Sequence, residues 1–171
     1  LINSMLRFVK GELVKKEAVD ISVLLSDIQS LILPHMLKKN LQLVVKDGGE
    51  GTTLTVNYEE LCSSLIALLE NAMQASPAGG CVSLTCSLTA DEVLFTVADQ
   101  GDGIDIVNEE RLFEPFFTTR PEGTGLGLAI VHSAIKQMGG DVQVKSLADQ
   151  GSEFIIRLPR TSLSNATNSN L

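Results

Sequence analysis

The order of apolar periodicities along the chain predicts an α/β (α+β) two-layer sandwich: a mixed, mostly antiparallel five-stranded sheet with about three helices on one face. Two observations lead there. The pattern runs helix, two strands, helix, two strands, a long loop, helix, two strands, which is not the strict strand–helix alternation of a doubly wound parallel sheet. Hydrophobic residues make up 44% of the 171, yet aromatics are only 4% and Trp is absent, so aliphatic side chains must fill the layer between helices and sheet.

Residues 1–17 read as the end of a helix running into a linker: Ile2, Met5, Leu6 and Val9 recur at helical spacing and Gly11 is a stop signal. The main domain is expected over 18–160. Asp20 N-caps a helix over about 21–39, with Leu24, Ile28, Leu31 and Ile32 as its inner stripe, and Pro34 should bend or interrupt it. Strands at 41–46 and near 53–57 flank a DGGEG turn. The clearest helix spans about 58–75, where Leu61, Leu65, Leu68, Leu69 and Ala72 form one stripe, and Pro77, Gly79 and Gly80 end it. Strands at 81–88 and 92–98 are joined by a tight turn around Thr89–Asp91. The segment 99–125 is long, low in periodicity and rich in Gly, Asp and Phe, the profile of a functional loop. A helix at 126–138 stops at Gly139–Gly140, strands at 141–146 and 152–158 close the domain, and 161–171 is a polar tail expected to be disordered.

The formal net charge of −8 argues against a nucleic-acid binder working through bulk electrostatics. No apolar run approaches the roughly 20 residues that span a bilayer. Cys62, Cys81 and Cys86 fit no zinc spacing and are expected as reduced thiols in a cytoplasmic setting. The chain opens in mid-pattern at Leu1, as a piece of a longer protein would, and that protein could carry a membrane anchor upstream.

Four short patterns carry chemistry. Asp99 follows a strand whose Val93, Phe95 and Val97 share one face, and it has their parity, so its carboxylate points toward apolar surroundings and needs donors. The turn after it, with Gly101, Gly103 and Ile104, offers bare backbone to a flat ring. Asn71 lies at the edge of the apolar stripe on the 58–75 helix, where an amide oxygen can serve as a single Mg²⁺ ligand; Glu70 is turned to solvent, and Ala67, one turn earlier on the same face, carries no polar group. Gly123-Thr124-Gly125-Leu126-Gly127-Leu128 precedes a helix and can present backbone N–H groups to phosphates. Phe113, Phe116 and Phe117 cluster in a polar loop, with Thr118, Thr119 and Arg120 behind them as phosphate donors. Taken singly, the Asp99 turn and Asn71 are better read as a turn and a local cap, and the glycine loop is a weak signal; the phenylalanine cluster, which holds three of the six Phe residues, reads as a satellite core or as a lid that packs differently over a bound nucleotide.

In this order, however, LLENAMQAS, DQGDGI, FEPFFTT and GTGLGLAI resemble the asparagine, first glycine, phenylalanine and second glycine boxes of the catalytic and ATP-binding domain of sensor histidine kinases, which has the Bergerat fold. The resemblance spans about residues 20–160. It implies Asn71 as Mg²⁺ ligand and the one catalytic residue in the chain, and Asp99 as reader of adenine beside Gly101 and Gly103. It also implies Gly125, Leu126, Gly127 and Leu128 around the phosphates, and Ser152 where the family usually has a Thr near adenine. Ala67 and Gln74 stand where the family often has a second Asn and a Lys, which weakens phosphate contacts without removing the site. Neither His35 nor His132 has the setting of a phosphoacceptor. The resemblance therefore implies γ-phosphoryl transfer from Mg–ATP to a His on the kinase's own dimerisation and phosphoacceptor domain, of which residues 1–12 look like the last turns. From there the group would pass to the receiver domain of a response regulator. The intact kinase is expected as a homodimer and this chain, short of that surface, as a monomer. Three other readings are a nucleotide-binding docking module without transferase activity, a related serine kinase that inactivates a sigma factor, against which the leading helix at 1–12 speaks, and an ATPase of the gyrase, chaperone or mismatch-repair type. Ala67 stands where that ATPase would need its general-base Glu.

Overall fold

The computed structural model describes residues 15–104, 111–118, 127–147 and 149–160. In chain order these form β1 (Glu17–Asp20), α1 (Ile21–Lys38), β2 (Gln42–Asp47), β3 (Thr53–Val56), α2 (Tyr58–Ala75), β4 (Cys81–Leu88), β5 (Glu92–Ala98), α3 (Gly127–Gln137), β6 (Asp141–Leu147) and β7 (Gly151–Pro159). The main sheet has five strands in the order β2-β4-β5-β7-β6. β2 and β4 are parallel and the other three pairs antiparallel, the mixed sheet expected.

Local chemistry explains the helix boundaries. Asp20 accepts the Val23 N–H at 3.0 Å and Asn57 accepts that of Glu60 at 2.9 Å, so both long helices start on a side-chain cap. In the β4–β5 turn, the Thr89 hydroxyl accepts the Glu92 N–H at 3.0 Å, closing a hydroxyl-capped loop. The inward face of the sheet carries Val82, Leu84 and Cys86 from β4, Val93, Phe95 and Val97 from β5, and Phe154, Ile156 and Leu158 from β7, all buried. Helix α2 lies across the sheet centre with Leu61, Leu65, Leu68, Leu69 and Ala72 against it; α1 and α3 flank it.

Three expectations are corrected. Residues Glu17–Asp20 form a strand that pairs antiparallel with β3 in a separate two-stranded sheet, so β3 is not part of the main sheet. Pro34 does not interrupt its helix: α1 runs from Ile21 to Lys38 through it. The carbonyl that Pro34 deprives of a donor belongs to Ser30, on the exposed side, where water can serve it. Leu31 is 55% exposed, and the inner stripe is instead Ile21, Leu24, Leu25, Ile28, Ile32 and Met36. A stripe of i, i+3, i+4 spacing does not fix where the covered arc ends, and Leu31 falls outside it.

Candidate functional site

One end of the sheet turns polar. The inward row formed by Val97, Phe154 and Val144 on β5, β7 and β6 is followed, one inward position on, by Asp99, Ser152 and Ser146. Asp99 and Ser152 are 7% and 5% exposed. Two bonds tie them, the Asp99 N–H donating to the Ser152 carbonyl at 3.0 Å and the Ser152 N–H to Asp99 Oδ1 at 3.3 Å, and Oδ1 also accepts the Gly101 N–H at 2.9 Å. Those donors supply what a buried carboxylate needs.

The loop after Asp99 is held against the body of the domain on two sides. Gly101 lies so close to the last turn of α2 that a Cβ there would sit 2.4 Å from the Ala75 carbonyl oxygen. Ala75 is one turn beyond Asn71, so this contact brings the helix bearing Asn71 up to the loop bearing Asp99. On the other side, the Ile104 N–H donates to the Ser146 hydroxyl and the Asp149 N–H to the Asp102 carbonyl at 2.9 Å. Gly103 sits between them in the left-handed region, φ 79°.

Asn71 is half-buried on the face of α2 that it shares with half-buried Ala67, while Glu70 is exposed. The last turn of α2 carries no basic residue, so the partial negative charge of its C-terminus is left to attract a cation from elsewhere. Gly127 and Leu128 open α3, whose first turn has no acidic residue. Thr119, Arg120, Gly125 and Leu126 lie outside the described residues; Thr118 is described and exposed.

The phenylalanine cluster divides. Phe113 and Phe117 pack half-buried on the core, Phe113 stacking on His132 with ring centroids 5.1 Å apart and Phe117 lying under the Arg111 guanidinium at 4.6 Å. Phe116 is 74% exposed at φ 67°, a strained backbone for a bulky residue. Neither histidine has gained a phosphoacceptor's setting: His132 is half-buried in its stack, and His35 is exposed near the end of α1 with Nδ1 3.3 Å from the Leu31 carbonyl. The cleft at the opposite end of the sheet is lined by Asp91, Glu92, Asp141 and Arg157, of which Glu92 pairs with Arg157 and Asp141 with Lys136, each at 3.0 Å. Lys136 holds the Asp141 carboxyl below the usual carboxylate range.

Ser146, Asp149 and Gly151 were not anticipated from sequence. For Ser146 a signal existed: in DVQVKS it shares parity with Val142 and Val144, so it is a polar residue ending an apolar face, the same mark that Asp99 bears.

Residues 56–162 match the model of the family described as histidine kinase-, DNA gyrase B-, and HSP90-like ATPase. The chain belongs to this family. Among curated relatives, the sensor histidine kinase ZraS of Escherichia coli O157:H7 is 34% identical over 159 residues, covering 93% of this chain and 35% of ZraS. Among solved structures, the catalytic domain of histidine kinase ThkA superposes with a TM-score of 0.79 at 26% identity, covering 86% of this chain and 97% of that one. Full-length ShkA in complex with AMPPNP superposes with a TM-score of 0.82 at 32% identity, covering 92% of this chain and 35% of ShkA. The chain is thus an ATP-binding catalytic domain of the sensor-histidine-kinase type, and it spans about a third of the length of ZraS.

Proposed function

We propose that this domain transfers the γ-phosphoryl group of Mg–ATP to a histidine on a separate dimerisation and phosphoacceptor domain, from which the group passes to the receiver domain of a response regulator. The observation that carries the reading is the polar row Asp99–Ser152–Ser146 at the sheet end, with Asp99 buried on two backbone N–H groups. An ionised carboxylate can accept about four hydrogen bonds, so the exocyclic amine of adenine can share Asp99 with Gly101 and Ser152. Gly101, Gly103 and Ile104 then form the floor under the base, and the Ser152 hydroxyl borders it. Thr118, Thr119, Arg120, Gly125, Leu126, Gly127 and Leu128 are assigned to the phosphates.

The donor set near Asn71 suits Mg²⁺. Among the described residues no group of three His, Cys, Asp or Glu is placed to hold a metal, so the fitting ion is one that keeps waters and phosphate oxygens as most of its ligands. Asn71 would hold it through its amide oxygen, beside the C-terminal end of the α2 dipole. Bound there, the ion would neutralise charge on the phosphates. The chain's own residues fix the adenine and leave the γ-phosphate open to the incoming imidazole. The imidazole nitrogen forms the new N–P bond, the bond from γ-phosphorus to the bridging oxygen breaks, ADP leaves and the imidazole gives up its proton. Support for a response-regulator partner comes from the names of the relatives and from ThkA, which has been crystallised with the response regulator protein TrrA. Residues 18–160 are the proposed catalytic domain, residues 1–17 the end of the phosphoacceptor helix with its linker, and 161–171 a polar tail.

The test is thermal unfolding with and without Mg–ADP, on the wild type and Asp99→Asn, followed by phosphotransfer to a supplied phosphoacceptor domain. At 100 times its Kd the ligand adds about 2.7 kcal/mol, a Tm rise of roughly 5–11 °C for a domain of this size. Asp99→Asn should lose most of that rise. No rise in the wild type at millimolar nucleotide refutes the site. A rise without phosphotransfer favours a docking module, and rapid ATP hydrolysis by the chain alone favours an ATPase.

A further inference from the structure

We infer that Ser146 is a positioning residue of the nucleotide site and that the β6–β7 turn holds the Asp99–Ile104 loop in the shape that receives the base. The inference rests on the adenine-site reading above and adds a residue that reading does not contain. Ser146 faces the loop at the end of β6, directly across from Ser152 in the β6–β7 register. Its hydroxyl oxygen accepts the Ile104 N–H. The single hydroxyl hydrogen has two acceptors within reach, the Gly151 carbonyl and the Ser152 hydroxyl, each at 3.4 Å. One side chain therefore joins the far end of the loop to the residue that donates its N–H to Asp99.

Two further contacts make the turn a clamp. The Asp149 N–H donates to the Asp102 carbonyl at 2.9 Å, and Asp149 takes a left-handed φ of 62° there. Gly151 approaches the Asp99 backbone so closely that a Cβ would lie 2.0 Å from its carbonyl oxygen. The loop is thus gripped at Asp99, Asp102 and Ile104 by consecutive parts of one turn. Without the Ser146 hydroxyl, the Ile104 N–H must find another acceptor, and the loop segment carrying Gly103 and Ile104 is released at its far end while Asp99 stays bound. A loop whose binding-competent form is only partly populated binds with an affinity reduced by that fraction.

Ser146→Ala, Ser146→Thr and Ser146→Cys in the 171-residue chain separate the outcomes. Two quantities are measured: amide exchange at Ile104 without nucleotide, and the Kd for Mg–ADP. The expected result is faster Ile104 exchange and a Kd about tenfold weaker in the Ala variant, with both restored by Thr, which keeps the hydroxyl. A purely structural loss would lower Tm without this rescue of affinity. Cys, a weak acceptor of nearly the same size, takes the place of Ala if that variant does not fold. Unchanged Ile104 exchange overturns the clamp. Faster exchange with wild-type affinity, while Asp99→Asn still abolishes binding, overturns the positioning role and leaves the adenine site standing. Failure of the wild type to bind Mg–ADP overturns both, and the exchange data then describe a bond of structural value alone.

Discussion

Replacing Gly151 by Ala tests how tightly the proposed nucleotide site around Asp99 is bound into the sheet. Gly151 opens β7 at φ 90°, and an added Cβ would stand 2.0 Å from the Asp99 carbonyl oxygen and 2.8 Å from its carbon. Two costs arise. The left-handed backbone costs an L-residue about 1–2 kcal/mol. Relieving the overlap requires a shift of roughly 1 Å or more in main chain that is paired across β5 and β7, and overpacking of that kind costs about 1–3 kcal/mol. Gly79→Ala separates the two, because Gly79 sits at φ 82° with nothing within 4 Å of its added Cβ. Gly79→Ala should lose only the backbone part and bind Mg–ADP as the wild type does. Gly151→Ala should lose about 1–3 kcal/mol more, which is a Tm roughly 2–12 °C lower than that of Gly79→Ala. It should also bind Mg–ADP at least about tenfold more weakly, since the shift moves Asp99 between its two N–H donors. Urea melts with unchanged slope and calorimetric titration measure the two effects. Equal stability losses in the two variants, or wild-type affinity in Gly151→Ala, would refute the close approach of β7 to Asp99.

Three further outcomes are expected. Burial, with Asp47 nearby, pushes the Cys86 thiol from 9.0 up to about 12. The raised pKa means that its contribution to stability is complete below pH 9 and is lost as pH rises toward 12; wild-type stability should therefore fall more steeply over that range than that of Cys86→Ala, and native-state alkylation should mark half-buried Cys81 before buried Cys62 and Cys86. Removing Mg²⁺ with EDTA should weaken nucleotide binding by the wild type but have little effect on Asn71→Ala, as titrations with and without chelator would show; equal chelator sensitivity in both proteins would rule Asn71 out as a ligand. Phe95→Ala empties a fully buried position at the sheet centre and should cost about 3–5 kcal/mol in chemical denaturation, with a cost under about 1 kcal/mol arguing against the core described.

The helices and strands of the main sheet were legible because their signals are local. Asp20 and Asn57 are capping residues in front of apolar stripes, and the alternation in β4 and β5 is unbroken. Asp99 was legible as a buried carboxylate because strand parity reaches one residue beyond the apolar run. The strand Glu17–Asp20 was not, since four residues with one buried side chain carry no periodicity and acquire strand geometry only by pairing with β3. Leu31 went astray because spacing defines a stripe but not how far around the helix the core reaches.

The sequence by itself determined the element order, the aliphatic core and the identity of the chemical groups: a carboxylate at a strand end, an amide on a helix edge and glycines in the loops. Each follows from backbone preferences and from periods of two or 3.6 residues. Only the tertiary structure decided that Asp99, Ser152 and Ser146 form one row. It also decided that Gly101 abuts the last turn of the Asn71 helix and that the β6–β7 turn contacts the Asp99–Ile104 loop. The contacts of the Asp99 loop with Ser146, Asp149, Gly151 and Ser152 join residues more than 40 positions apart in sequence, and strand order, which no local propensity encodes, is what brings them together.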